Sequence, residues 1–209
     1  MNASTQRLTL QGAAGAVEAL RDEPAGDQPL RGVAVIAHPH PLYAGTMDNK
    51  VVQTMARAFV QSGFAAVRFN FRGVGDSAGV HDEGRGEADD LLAVLAQVAP
   101  QGPIALAGFS FGAFVAGRAL QTLWSTRAPE RVVLVGTAVS RFEVPALPAE
   151  AHERTLVLHG EKDDTVLFAD VLDWARPQAL PITVVPGGGH FFHGQLPLLK
   201  SLVMRHLAA

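Results

Sequence analysis

One serine in this chain stands where a nucleophilic oxygen could be made. Gly108-Phe109-Ser110-Phe111-Gly112 follows the apolar run Ile104-Ala105-Leu106-Ala107 and opens a helix-forming stretch. Strand, tight turn and helix therefore bracket Ser110. Such a turn lifts the hydroxyl above the strand end on a strained backbone, and side chains two positions either side would collide. Glycine at 108 and 112 removes the collision. An alkyl hydroxyl is a poor nucleophile near neutral pH, so it needs a base, and the base needs an orienting carboxylate. Downstream lie an acidic pair, Asp163-Asp164, after one apolar run, and Gly187-Gly188-Gly189-His190-Phe191-Phe192-His193 after another. The glycines there free the backbone to turn an imidazole back toward the serine, which makes His190 the preferred base and His193 its rival. The chemistry open to such a set is acyl transfer through a covalent acyl-serine.

Residues this far apart must be gathered by a regular scaffold, and the hydrophobic pattern supplies one. Residues 6–11 and 16–20 alternate as two strands around the turn Gly12-Ala13-Ala14-Gly15, and residues 22–30 form a Pro/Gly/Asp loop. Thereafter strand-like runs (33–37, 65–71, 104–109, 132–136, 155–158 and 182–185) alternate with helix-like ones, the signature of a parallel sheet with crossover helices. Helices are expected from Asp48 as cap to about Ser62, then over about 84–99, from Phe111 onward, over about 167–174 and over about 196–207. The third is rich in small residues (Gly112, Ala113, Ala116, Gly117, Ala119), which lets it lie close to the sheet.

Eight strands with a leading antiparallel hairpin and helices on both faces describe an α/β fold of the α/β-hydrolase type. The chain resembles the small lidless bacterial serine hydrolases of that fold, close to the dienelactone-hydrolase-like group. The likeness is carried by His38-Pro39-His40-Pro41, Asn70-Phe71-Arg72-Gly73-Val74-Gly75-Asp76-Ser77, Gly108 to Gly112, His159-Gly160-Glu161-Lys162-Asp163 and Gly189-His190-Phe191-Phe192. One departure matters: dienelactone hydrolases carry cysteine at the sharp turn and this chain carries Ser110, which moves the expected chemistry toward ester cleavage. The resemblance implies Asp163 as the triad acid, through the pattern H-G-x-x-D-x-x-V, with Asp164 or a displaced Glu143 as alternatives.

A tetrahedral intermediate needs two hydrogen-bond donors for its oxyanion. The N–H of Phe111, directly after the nucleophile, is one. In this fold the second comes from the loop after the third strand, here His38-Pro39-His40-Pro41-Leu42-Tyr43. Pro39 and Pro41 have no N–H, which leaves His40 or Leu42, and the resemblance favours the His40 backbone. His38 and His40 also form an H-x-H pair of the kind that can chelate zinc, but the chain has no thiolate and the other histidines are claimed by hydrolase motifs, so no metal and no cofactor are expected. Arg72 to Ser77 reads as a structural turn bordering the substrate pocket.

Bulk properties narrow the function classes. The 209 residues are 48% hydrophobic and 18% charged, with a formal charge of -3, and they contain no cysteine. One domain over residues 1–209 is the expectation. The acidic balance and the lack of a Lys/Arg cluster argue against a nucleic-acid partner. Without cysteine there is no disulfide framework and no thiolate ligand. The opening residues lack a signal-peptide core and no apolar run reaches membrane-spanning length, so a cytoplasmic protein with no membrane partner is expected. Fewer than twenty residues separate Gly136 from Thr155, too few for a helical cap. An open site near Tyr43, Phe109, Phe111, Phe191 and Phe192 suits a small acyl substrate. The expected activity is that of a carboxylesterase-type serine hydrolase. A thioesterase, lactonase or peptidase on the same triad, and a non-catalytic binding protein that kept the fold, are the alternatives.

Overall fold

The computed structural model describes residues 5–26 and 29–209. The first four residues of the opening segment, and residues 27–28 of the expected loop at 22–30, lie outside it. In chain order the elements are β1 (Gln6–Gly12), β2 (Gly15–Asp22), β3 (Gly32–Ala37), α1 (Lys50–Gln61), β4 (Phe64–Phe69), α2 (Arg85–Val98), β5 (Ile104–Phe109), α3 (Phe111–Arg127), β6 (Arg131–Val135), β7 (Thr155–Gly160), α4 (Phe168–Ala175), β8 (Ile182–Val185) and α5 (Leu196–Ala208). The eight strands form one sheet in the order β1-β2-β4-β3-β5-β6-β7-β8. The β1/β2 and β2/β4 pairs are antiparallel and the others parallel. This is the lidless α/β-hydrolase arrangement.

Side-chain alternation sorts the strands onto two cores. Val33, Val35 and Ala37 of β3, with Ile104 and Leu106 of β5, pack against α2, α3 and α4. Ala34 and Ile36, with Ala105, Ala107 and Phe109, pack against α1 and α5. Both faces of the central strands β3 and β5 are therefore apolar, and both read as continuous hydrophobic runs for that reason. On α1, Val51, Val52, Met55 and Phe59 are almost wholly buried, each contributing roughly 1.5–3 kcal/mol.

Several strand ends shift by one or two residues from expectation, and two of the differences have a clear local cause. The cap of α1 is Asn49, whose side chain accepts the Val51 N–H at 2.8 Å. Asp48 stands one residue too early and instead meets the buried Arg68 at 3.2 Å. β4 stops at Phe69, short of Phe71, because the Phe71 N–H leaves the ladder and donates to the ring of His38 at 3.0 Å.

The chain crosses from β3 to β4 on one side through α1 and then from β4 past β3 to β5 on the other through α2, so the sheet reverses its winding between β3 and β5. Ligands of open α/β sheets bind at the carboxyl ends of the strands at such a point. The loops leaving β3, β5, β7 and β8 there carry His40, Ser110, Asp163 and His190.

Candidate active site

The turn between β5 and α3 holds Ser110 at φ 56° and ψ −116°, a left-handed conformation costly for a residue with a side chain. Its N–H donates to the carbonyl of Val135 at 2.8 Å, and its own carbonyl accepts from Ala113 at 3.0 Å. Both glycines are required by space. A Cβ at position 108 would sit 2.2 Å from the Gly112 carbonyl oxygen, and one at 112 would sit 2.3 Å from that of Ala37. These are main-chain atoms that cannot move aside, so the second contact also fixes how closely the β3 loop approaches the serine.

Asp163, His190 and Ser110 meet in one line. The Asp163 Oδ2 atom lies 2.7 Å from His190 Nδ1, and His190 Nε2 lies 3.1 Å from Ser110 Oγ. All three residues are buried. The other carboxylate oxygen of Asp163 accepts the N–H groups of Thr165 at 2.9 Å and Val166 at 2.8 Å. Burial pushes the Asp163 carboxyl up, but the bonds from His190 and Val166 outweigh it and hold the group below its ordinary range. Asp163 is thereby kept ionised, with one oxygen fixed by the main chain and the other turned to His190. The fully buried His159 donates from Nε2 to the Val166 carbonyl at 2.9 Å and lies 3.5 Å from Asp163 Oδ2. Burial lowers its pKa, so a neutral ring closes the far side of the carboxylate.

The alternatives are placed elsewhere. Glu143 and Asp164 are exposed, as is His193, whose ring stacks on Phe191 at 6.0 Å.

The β3 loop supplies the oxyanion candidates. The Leu42 N–H is taken by His40 Nδ1 at 3.2 Å. Among the described residues the N–H groups of His40 and Phe111 are donated to no other group, and both residues line one cavity with Ser110 and His190. Of the two expected donors, His40 is therefore the one left free.

His38 anchors this loop. Its Nδ1–H donates to the Pro39 carbonyl at 2.6 Å and its Nε2 accepts from Phe71, so both ring nitrogens are occupied and His38 has no lone pair left to chelate zinc with His40. Among the described residues no cluster of His, Asp and Glu could hold a metal ion. Burial pushes the His38 pKa down to about 4, with the Pro39 bond opposing. The unfolded chain binds this proton near pH ~6.5. The native state resists it to about pH 4, so stability is complete above the unfolded value and is lost as pH falls from there to about 4. Urea unfolding at pH 7.5 and 4.5 is expected to differ by about 2.5 kcal/mol from this group alone. Burial lowers His40 and His206 as well, which adds in the same direction. In His38→Asn the difference shrinks by about that amount; an unchanged slope would rule the assignment out.

The cavity has a volume of about 310 Å³ and is walled by Tyr43, Phe111, Phe142 and Phe191, together with Thr165 and Val166, whose N–H groups bond to Asp163. Phe109 and Phe192 are core residues instead. Arg72 to Ser77 do not line it, contrary to expectation. That loop is consumed by its own bonds: Ser77 Oγ donates to the Asn70 carbonyl at 2.7 Å, and Asn70 donates to Glu18 at 2.7 Å.

Sequence reasoning missed a further imidazole–carboxylate contact nearby. His81 Nδ1 approaches the buried Glu87 at 2.9 Å, off the hydrogen-bond direction, and its ring faces those of His40 and Phe111 at 4.8 and 5.4 Å. Glu87 accepts from Asp82 and Gly84 at the start of α2. The signal for it was the glutamate three residues after a turn glycine, a helix-start pattern.

Residues 23–143 match the family described as X-Pro dipeptidyl-peptidase (S15 family); the match includes His40 and Ser110 and ends before Asp163 and His190. An uncharacterized protein of Rickettsia prowazekii (strain Madrid E) is 32% identical over 78% of this chain and 73% of its own length. A crystal structure from Xanthomonas campestris, described as an α/β serine hydrolase without lid, superposes with a TM-score of 0.87 at 35% identity, covering 100% of this chain and 95% of that one. An α/β serine hydrolase homologue from Coxiella burnetii gives a TM-score of 0.84 at 35% identity, with 97% of each chain covered.

Proposed function

Because the chain belongs to the X-Pro dipeptidyl-peptidase (S15) family of α/β serine hydrolases, we propose that it is a carboxylesterase-type serine hydrolase that cleaves small esters through an acyl-enzyme. The observation that carries this reading is the unbroken line from Asp163 through His190 to Ser110, at 2.7 and 3.1 Å, opening on a cavity beside two unpartnered N–H groups. Ser110 Oγ attacks the ester carbonyl as His190 Nε2 takes its proton, and the ionised Asp163 stabilises the imidazolium. The carbonyl oxygen becomes an oxyanion facing the N–H groups of Phe111 and His40. Collapse breaks the C–O bond to the alcohol, which leaves with the proton from His190. Water then attacks the acyl-serine by the same route in reverse, releasing the acid and restoring Ser110.

The family description brings a second reading, removal of X-Pro dipeptides. Such a substrate carries an α-ammonium group, and holding a cation out of water requires an opposing charge. Among the described residues that line the cavity none is Asp or Glu, which favours esters over dipeptides. The test is a p-nitrophenyl ester series from acetate to palmitate, run beside X-Pro p-nitroanilides and fluorophosphonate labelling. Labelling at Ser110, a maximum at the short acyl chains and anilide rates below about one hundredth of the ester rate are expected from the small, open cavity. A maximum at long chains or a preference for the anilides would overturn the reading.

A further inference from the structure

Arg141 is the one permanently charged residue among those lining the cavity that holds Ser110 and His190. Among the described residues its guanidinium makes no ion pair and no hydrogen bond. Its carrier is a fixed turn beyond β6, not a loose tether. The Arg141 N–H donates to the Ala138 carbonyl at 3.3 Å, and the Val144 N–H closes on Phe142 at 2.9 Å. The neighbouring Phe142 ring stacks on Phe114 at 4.8 Å and meets Phe111 at 5.1 Å. The backbone bearing the guanidinium is thus packed against the residue that offers one of the oxyanion N–H groups.

The Arg141 charge is felt at the oxyanion loop. Burial lowers the His40 pKa first, and the neighbouring His81 and the Arg141 guanidinium lower it further, with Glu87 opposing. Two acids near the cavity are already bonded: Asp163 to His190, and Glu87 to the N–H groups of Asp82 and Gly84. A planar fork of donors that is always protonated, in a cavity lined by four aromatic rings and by no acid among the described residues, matches a carboxylate in particular, since both oxygens can be taken together.

We propose that Arg141 selects the substrate: the ester cleaved at Ser110 carries a carboxylate, which the Arg141 guanidinium receives while the aromatic walls hold the linking carbons. This rests on the ester reading above and adds the class of ester.

Matched esters that differ only in charge test it. Monomethyl glutarate against methyl 4-carbamoylbutanoate places the carboxylate or its neutral amide on the acyl side, and 4-acetoxybenzoate against 4-acetoxybenzamide places it on the alcohol side. Wild type is expected to favour the carboxylate member of at least one pair by about fivefold or more in kcat/KM, the size of a partly exposed ion pair. The gain should appear mainly in KM. Arg141→Gln should bring that ratio to about one, and Arg141→Glu should invert it toward methyl 4-aminobutanoate, a gain that a misfolded variant cannot produce. Ratios near one for both pairs in wild type, or a preference that survives in Arg141→Gln, would overturn the proposal while leaving the ester reading intact. If wild type cleaves none of these esters, calorimetry of Ser110→Ala with monomethyl glutarate and its amide separates the two claims. Carboxylate-selective binding that disappears in Ser110→Ala/Arg141→Gln keeps the anion site and discards the ester reading, and equal binding discards both.

Discussion

Ser110→Ala is expected to lower ester turnover by about 10⁵-fold or more, to abolish fluorophosphonate labelling and to leave the fold intact. The magnitude follows from the arrangement: nucleophile and base act as a unit, and loss of either member removes nearly all of the covalent route. What remains is the activity of a cavity with oxyanion donors and water, which rests on binding and electrostatics alone. Stability should not suffer. Alanine at φ 56° inherits the same backbone strain as serine, and the change deletes a hydroxyl whose partner, His190, keeps its bond to Asp163. The thermal midpoint of the variant is therefore expected to equal or slightly exceed that of wild type, the usual relation when a strained functional site is disarmed. Mass spectrometry of fluorophosphonate-treated protein and stopped ester assays read both effects. Retention of more than about one hundredth of the rate in Ser110→Ala would show that another group carries the reaction.

Much of this arrangement was legible in the sequence, and for identifiable reasons. β5 and β8 fall on their expected residues because fully buried strands of a parallel sheet are short apolar runs closed by turn residues. The Ser110 turn was legible because steric exclusion leaves glycine alone at 108 and 112, where a Cβ would come within 2.3 Å of main-chain atoms. Features that depend on long-range partners were not. The end of β4 is set by a ring on β3's loop, the Asn70 loop is closed by a glutamate on β2, and no local pattern encodes either. His81 and Glu87 meet the His40 loop only after α2 has docked. Arg141 was invisible for a different reason: a single surface arginine has no periodicity, and its meaning comes from the charges missing around it.

The carboxylate offers the sharpest separation between chemistry and folding. Asp163→Asn is expected to lower kcat by about 10⁴-fold at neutral pH, with a smaller change in KM, the size of loss known when such an acid becomes an amide in a serine-histidine pair. The local bonds say why. In wild type one carboxylate oxygen accepts two main-chain N–H groups, from Thr165 and Val166, and the other faces His190 Nδ1. An amide has only one acceptor oxygen. Two rigid N–H groups will claim it, which turns the NH₂ toward His190. The imidazole must then accept at Nδ1 and carry its proton on Nε2, the atom 3.1 Å from Ser110 Oγ. A nitrogen already protonated cannot take the serine proton. The amide also gives no stabilisation to an imidazolium, so the loss has two sources acting in one direction. Because the main-chain bonds survive, the unfolding midpoint should move far less than the rate. Raising the pH should recover part of the activity, as hydroxide takes over from the missing base. Asp163→Asn with near-wild-type kcat would mean that the acid serves the loop rather than the histidine, and His159, 3.5 Å from the same oxygen, would be the next group to replace.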